Sequence, residues 1–241
     1  MTTKIDVYKL KESSLRGATV IDGFSNTNMI NSIVANHLIN SLKLDQVGIL
    51  DSDNFPAVSL IYGSKPKYPA SIFADDEKNI AVFLSEFTPE QHLVRAIANT
   101  MLTWTVENNC KRIITAEALV AQNGQNPKEQ QMFGVGSVDR ARHDLEKLDV
   151  TPLKTGYITG VPAILLNSGM RLKFNVICLL AEVWANQGVP DATAAAKLIE
   201  VMARLLPNVE IDVGPLYEEA ALIENWVHEQ QQPQTPSLMF G

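Results

Sequence analysis

The sequence predicts an α/β protein built on a central sheet, and three observations carry that prediction. Residues 80–84, Ile80-Ala81-Val82-Phe83-Leu84, form a continuous apolar run of strand length, the pattern of a strand covered on both faces. That run feeds directly into a helix, because Leu93, Ile97, Met101 and Trp104 recur at steps of four, four and three and stack on one helical face. Two more buried runs, over residues 111–116 and 176–183, supply further core strands. The start of the helix is marked as well. Thr88 is placed as N-cap, Pro89 at the first helical position, and Gln91 to complete a capping box.

Taken in order, the chain opens with an edge strand over residues 5–10, where Ile5, Val7, Tyr8 and Leu10 are interleaved with charges. A strand over 18–21 is ended by Asp22-Gly23, and Ser25-Asn26-Thr27-Asn28 offers N-caps for a helix to Leu42. His37 falls in the apolar stripe of that helix, which reads as a packed or hydrogen-bonded histidine. Strands are expected over 46–50 and 57–62, with a polar turn between them and a loop over 62–69. Asp51 and Asp53 in that turn lack the glycine and distal glutamate of a calcium loop, so an ordinary turn is expected. Residues 71–74 pair with 80–84 as a hairpin across Asp75-Asp76-Glu77-Lys78-Asn79.

The strand over 111–116 ends in Glu117, and the polar stretch 121–131 reads as an exposed loop. A short strand at 132–137 precedes a helix over 138–148. Its Gly134-Val135-Gly136 is a fragment of a dinucleotide fingerprint without the third glycine. After the turn Ile158-Thr159-Gly160-Val161-Pro162 comes an apolar segment, 163–166, ended by Asn167-Ser168-Gly169. Glu182 lies at the end of the 176–183 strand. Pro190-Asp191-Ala192 opens a helix with Ala195, Leu198, Ile199, Met202 and Leu205 on one face, stopped by Pro207-Asn208, and a last helix spans 216–228. The organisation expected is one domain over 1–228 and a flexible tail over 229–241, polar and proline-broken until it ends in Leu238-Met239-Phe240-Gly241.

Bulk properties narrow the function. A chain of 241 residues suits one decorated α/β domain, and 46% hydrophobic content is ample for a core. A formal charge of −7 and pI near 5.1 argue against nucleic-acid binding, which needs cationic surface. Cys110 and Cys178 have no metal-ligand spacing and read as reduced thiols. The start has no apolar signal core and no run approaches the roughly 18 residues of a membrane span. A cytoplasmic, non-membrane protein is expected.

Chemistry is sparsely marked. Glu86, Glu117 and Glu182 stand at strand ends where open α/β sheets bind ligands. Brought together they would serve acid–base or metal chemistry, and apart they would cap helices or pair with Arg and Lys. No nucleophile elbow, His-Glu-x-x-His or Cys–His pair is present, and the four histidines fall in four different predicted helices. No cofactor or metal site is expected.

The combination of segments resembles the proteasome assembly chaperone 2 (PAC2) family in its archaeal form. The residues that carry the resemblance are Gly23-Phe24-Ser25-Asn26 before a helix, Ser85-Glu86-Phe87-Thr88-Pro89 with Trp104 behind it, and Ile113-Ile114-Thr115-Ala116-Glu117-Ala118-Leu119. The turn Ile158-Thr159-Gly160-Val161-Pro162-Ala163, Cys178-Leu179-Leu180-Ala181-Glu182, and the stretch 190–224 complete it, over roughly residues 5–227. The resemblance implies a three-layer α/β/α fold with a largely parallel or mixed sheet, like that of phosphorylases and hydrolases, used without catalysis. It implies a chaperone or adaptor for proteasome α subunits or the 20S core particle, and a homo-oligomer, with or without a paralogue, is expected because a single tail should bind weakly and several raise the effective concentration. In such proteins a hydrophobic residue, a tyrosine and a last residue dock in α-ring pockets, and Met239-Phe240-Gly241, preceded by Leu238, looks like that motif with phenylalanine replacing tyrosine. The alternative is a small-molecule enzyme, phosphorylase-, hydrolase- or ATP-dependent ligase-like, using Glu86, Glu117 and Glu182.

Overall fold

A computed structural model describes residues 3–24, 29–120, 131–183, 191–206 and 209–231, with side chains of the last helix described to Leu222. Among these residues nine strands form one mixed sheet in the order β1-β3-β6-β7-β2-β8-β11-β9-β10. Its centre is parallel: β7 (Ile80–Ser85), β2 (Thr19–Gly23), β8 (Arg112–Val120) and β11 (Val176–Val183) run side by side. Antiparallel partners extend one edge through β6 (Ala70–Asp75), β3 (Asp45–Asp51) and β1 (Asp6–Lys9). On the other edge β9 (Met132–Gly136) runs against β11, and β10 (Thr151–Pro152) lies parallel to β9.

Alternation along the strands divides the core in two. Ile80, Val82 and Leu84 of β7 face one layer, made by α1 (Ile30–Leu42), α3 (Asp139–Lys147) and α5 (Ala192–Ala203). Ala81 and Phe83 face the other, made by α2 (Gln91–Glu107) and α4 (Gly160–Leu172). The α6 helix (Gly214–Gln231) packs on α5 through its buried Leu216 and Ala220. The architecture is three layers, α/β/α, and β7 is buried along its whole length as its apolar run requires.

Several boundaries differ from expectation for local physical reasons. The α2 helix starts at Gln91 with Glu90 as its N-cap in extended conformation, and no side chain caps it, so the Thr88–Gln91 capping box does not form. The residues before it are committed elsewhere: the Ser85 hydroxyl donates to Phe87 O at 2.6 Å, and the Phe87 ring lies 5.0 Å from that of Phe55. The α1 helix begins after Met29 in the left-handed region, and the capping candidates Ser25 to Asn28 lie outside the described residues. The β8 strand runs on through Glu117 to Val120 because β11 pairs with it as far as Val183↔Val120. Asn167-Ser168-Gly169 does not end its segment but lies inside α4, where Gly169 sits so close to β11 that a Cβ would be 2.6 Å from Val176 Cγ2.

Of the strand expected at 57–62, only Leu60–Tyr62 is extended, as β4. It pairs with β5 (Lys65–Lys67), inside the expected loop, to make a separate two-stranded hairpin. The final helix reaches Gln231, beyond the expected end at His228.

Candidate functional site

The strand order reverses the direction of its connections at the centre of the sheet, the place where α/β folds bind ligands. From β2 the chain leaves through α1 on one face toward β3, and α2 on the opposite face brings it back to β8 on the other side of β2. Gly23, the last residue of β2, is required by close approach: a Cβ there would lie 2.2 Å from Phe83 O and 2.4 Å from the Ala35 Cβ of α1. Beside it Asp22, expected to end the strand, is fully buried within it. Its carboxylate accepts the Phe24 N–H at 3.0 Å and the Thr115 hydroxyl at 2.8 Å. Burial pushes its pKa up to about 6 against those two hydrogen bonds.

Asn31 in the first turn of α1 completes this polar knot. The β2–β8 ladder ends at Asp22↔Thr115, and the next inward-facing amide, that of Ala116, donates to Asn31 Oδ1 at 2.8 Å. The Asn31 amide in turn donates to Phe24 O at 3.4 Å. Cys178 stands opposite Thr115 on β11, and burial, reinforced by the charges of Glu117 and Asp22, raises its thiol well above the usual range. Cys110 is likewise a buried free thiol, pushed up to about 11 by desolvation. Buried polar groups with neighbouring acceptors describe a clamp on the β2–α1 connection. The sequence marked this region through Asp22-Gly23, Gly23-Phe24-Ser25-Asn26 and the stretch 113–119 that holds Thr115, but nothing in it singled out Asn31 or showed that Asp22 and Thr115 meet.

The three carboxylates do not converge. Their strands are parallel, yet β2 lies between β7 and β8, which puts Glu86 two strand spacings, about 10 Å, from Glu117. Glu86 instead forms an ion pair with Lys67 of β5, and its N–H donates to Pro69 O at 2.8 Å. Glu117 and Glu182 share a face of adjacent strands, two positions out of register and so about 8 Å apart between Cα atoms. Glu117 is nearly buried and accepts its neighbour's amide, Ala118 N–H, at 3.1 Å. Among the described residues no three His, Cys, Asp or Glu side chains are grouped to hold a metal ion.

Other sequence candidates also have places. His37 Nε2 lies 2.7 Å from Asp212 O and 3.1 Å from Ser41 Oγ, a hydrogen-bonded histidine that ties α1 to the segment before α6. Gly134 and Gly136 lie within β9, and a Cβ on Gly136 would meet Arg142 N at 2.7 Å, so these glycines admit α3 and form no phosphate loop. Leu238, Met239, Phe240 and Gly241 lie outside the described residues. No described helix is long and apolar enough to cross a membrane.

The fold matches known proteins over nearly the whole chain. The family model described as the PAC2 family matches residues 20–231. Among solved structures, Pyrococcus furiosus PbaA, described as an archaeal homolog of proteasome-assembly chaperone, is 27% identical over 94% of this chain and 91% of its own, with a TM-score of 0.82. Pyrococcus furiosus PbaB, described as an archaeal proteasome activator, shares the fold at 21% identity and a TM-score of 0.79, over 96% of this chain and all of its own. A PAC2 family protein from Streptomyces avermitilis shares it at 19% identity and a TM-score of 0.69, over 88% of this chain and 95% of its own. No curated protein matches the chain. With a match that begins inside β2, takes in the Asp22–Asn31–Thr115 clamp and ends with α6, the chain belongs to the PAC2 family.

Proposed function

We propose that this protein is a non-catalytic chaperone or adaptor that contacts proteasome α subunits, singly or in the 20S core particle, and works in the cytoplasm as a homo-oligomer, with or without a paralogue. The observation that carries the reading is the likeness to PbaA, which extends over 94% of the chain at 27% identity. Contact is made by the tail, Leu238-Met239-Phe240-Gly241, in pockets between α subunits, and partly by the body.

Magnitudes explain why an oligomer is part of the reading. Burying Met239 and Phe240 is worth about 1.5–3 kcal/mol each, while ordering each tail residue costs about 1–2 kcal/mol of backbone entropy. The two nearly cancel. Net affinity then comes from hydrogen bonds, from a charge-assisted contact of the terminal carboxylate, and from several tails acting together. Phenylalanine in place of tyrosine removes one hydroxyl donor from each tail.

The experiment compares the full chain with a version ending at Pro236, binding to recombinant archaeal α subunits and 20S particles by native gel and interferometry. Binding by the full chain that is mostly lost on truncation is the expected result. Binding by neither version overturns the proteasome reading.

A further inference from the structure

The α2 and α4 helices pack side by side, and each leads into one of the parallel neighbours β8 and β11, so the two helices lie parallel with a groove between them on the solvent side. Steps of three and four along each helix build its walls. Arg95 and Asn99 come from α2, and Ile164, Asn167, Ser168 and Arg171 from α4, around a hollow of about 260 Å³. Asn99 and Arg171 also border a second hollow of about 560 Å³ further along, so the two are continuous. There the walls are mainly apolar, Leu102, Val106 and Leu172, and Glu107 stands at the far end.

The first hollow is chemically one-sided. It presents two guanidiniums, two carboxamides and a hydroxyl, and no acid lines it, although the chain carries 27 Asp and Glu against 20 Lys and Arg. None of these five side chains has an ion-pair or hydrogen-bond partner among the described residues. For Arg95, Asn99, Asn167 and Arg171, which are exposed, solvent suffices. Ser168 is different. It is only 8% exposed, and its hydroxyl does not make the bond to the carbonyl four residues back that a helical serine can make. A buried, unpaired hydroxyl beside two unpaired arginines leaves the site short of acceptors.

We propose that this groove binds an extended acidic segment of a partner protein, with its carboxylates on Arg95 and Arg171, its backbone on Asn99, Asn167 and Ser168, and an apolar side chain in the second hollow. Three features select a peptide over a simple anion. The arginines stand at opposite ends of the first hollow, since Arg171 borders the second and Arg95 lies a turn before Asn99, so each can fork onto its own carboxylate. A carboxamide offers a donor and an acceptor together, which a peptide bond uses and a phosphate does not. The adjoining Val106 and Leu172, 50 and 51% exposed, suit an apolar side chain and give an anion nothing. Glu107 repels acids and so sets the direction, with the acidic end toward Arg95. The chain's own residues 232–241 hold no acidic side chain and are not this occupant. The inference adds a binding surface to the function proposed above and does not depend on the tail.

The test is fluorescence anisotropy at physiological salt, with the full chain and dye-labelled, blocked peptides in which two glutamates are separated by one, two or three alanines and followed by two leucines. At least one spacing should bind, and its counterpart with glutamine for glutamate should bind at least tenfold more weakly. Arg95→Gln and Arg171→Gln change exposed side chains to another good helix former, and each should cost at least tenfold with unchanged circular dichroism. Leu172→Ser should weaken only peptides that carry the leucines. Lys147→Gln, at an exposed cation of α3 in the opposite layer, should change nothing. No binding at any spacing, binding indifferent to both arginine variants, or displacement by inorganic phosphate at the peptide's own concentration overturns the proposal, the last by marking a plain anion site. The version ending at Pro236 should bind the peptide as the full chain does, so a failure here and a failure of the tail are told apart.

Discussion

The Thr115 hydroxyl of β8 donates to the carboxylate of Asp22 on β2 at 2.8 Å, in a site from which solvent is excluded. Burial raises the Asp22 pKa from 3.8 to about 6, so the native protein holds this proton more tightly than the unfolded chain does. Its contribution to stability is complete below the lower value, declines as pH rises between the two, and is gone above the higher. The ionised form is then tolerated at a cost of up to about 3 kcal/mol. Asp22→Asn cannot ionise, and its Oδ1 still accepts from Phe24. Urea denaturation at pH 4, 5, 6 and 7 should therefore show the asparagine variant gaining on the wild type as pH rises, with the difference levelling off above about 6. A difference that does not change with pH would mean that Asp22 is solvated or already paired with a cation.

Gly23 sits one residue further along the same strand, and its reason is steric. Its missing side chain lets α1 lie against β2 and β7, and a methyl there would stand 2.2 Å from a backbone carbonyl, with no flexible group to yield. Gly23→Ala must push α1 and its Asn31 off the sheet and break the Asn31–Ala116 hydrogen bond with it. The expected cost is about 4 kcal/mol or more, at the upper end for single substitutions. Calorimetry should show a Tm lower by about 10 °C, or no soluble protein at all. A Tm within about 2 °C of wild type would show that α1 can shift freely.

What could be read from the chain beforehand follows from where the deciding interactions lie. The β7 and β11 strands and the α5 helix were legible because their evidence is local. The strands hold the uninterrupted apolar runs 80–84 and 176–181, and the helix opens on Asp191, whose carboxylate does accept the Ala194 N–H at 2.8 Å. The extension of β8 past Glu117 was not legible, because only the partner strand β11 decides it. Asn167-Ser168-Gly169 carries turn composition, and only the closeness of β11 shows that Gly169 serves packing. Asp22-Gly23 looks like a strand terminator for the same reason, although Thr115, Asn31 and Ala35 make both residues structural. For the carboxylates the sequence left both arrangements open, and topology decides: β2 stands between β7 and β8, and Glu86, just past the end of β7, pairs with Lys67.

Glu86 separates two accounts of that sheet edge. Its partner Lys67 is about a third exposed, so the ion pair contributes about 1 kcal/mol or less to global stability, and Glu86→Gln should lower Tm by only about 2–3 °C. Its local effect should be larger, since the pair fastens β5 to the end of β7. Amide exchange across β4 and β5 is expected to quicken several-fold in Glu86→Gln while that of β7 is unchanged. Were Glu86 instead to work with Glu117 and Glu182 on a metal or nucleotide, a divalent cation or ATP would raise the wild-type Tm by several degrees, and Glu86→Gln would abolish the rise. The spacing of β7, β2 and β8 leads us to expect no such rise in either protein. A heat-shift screen run beside the exchange measurement decides between a tether and a ligand site.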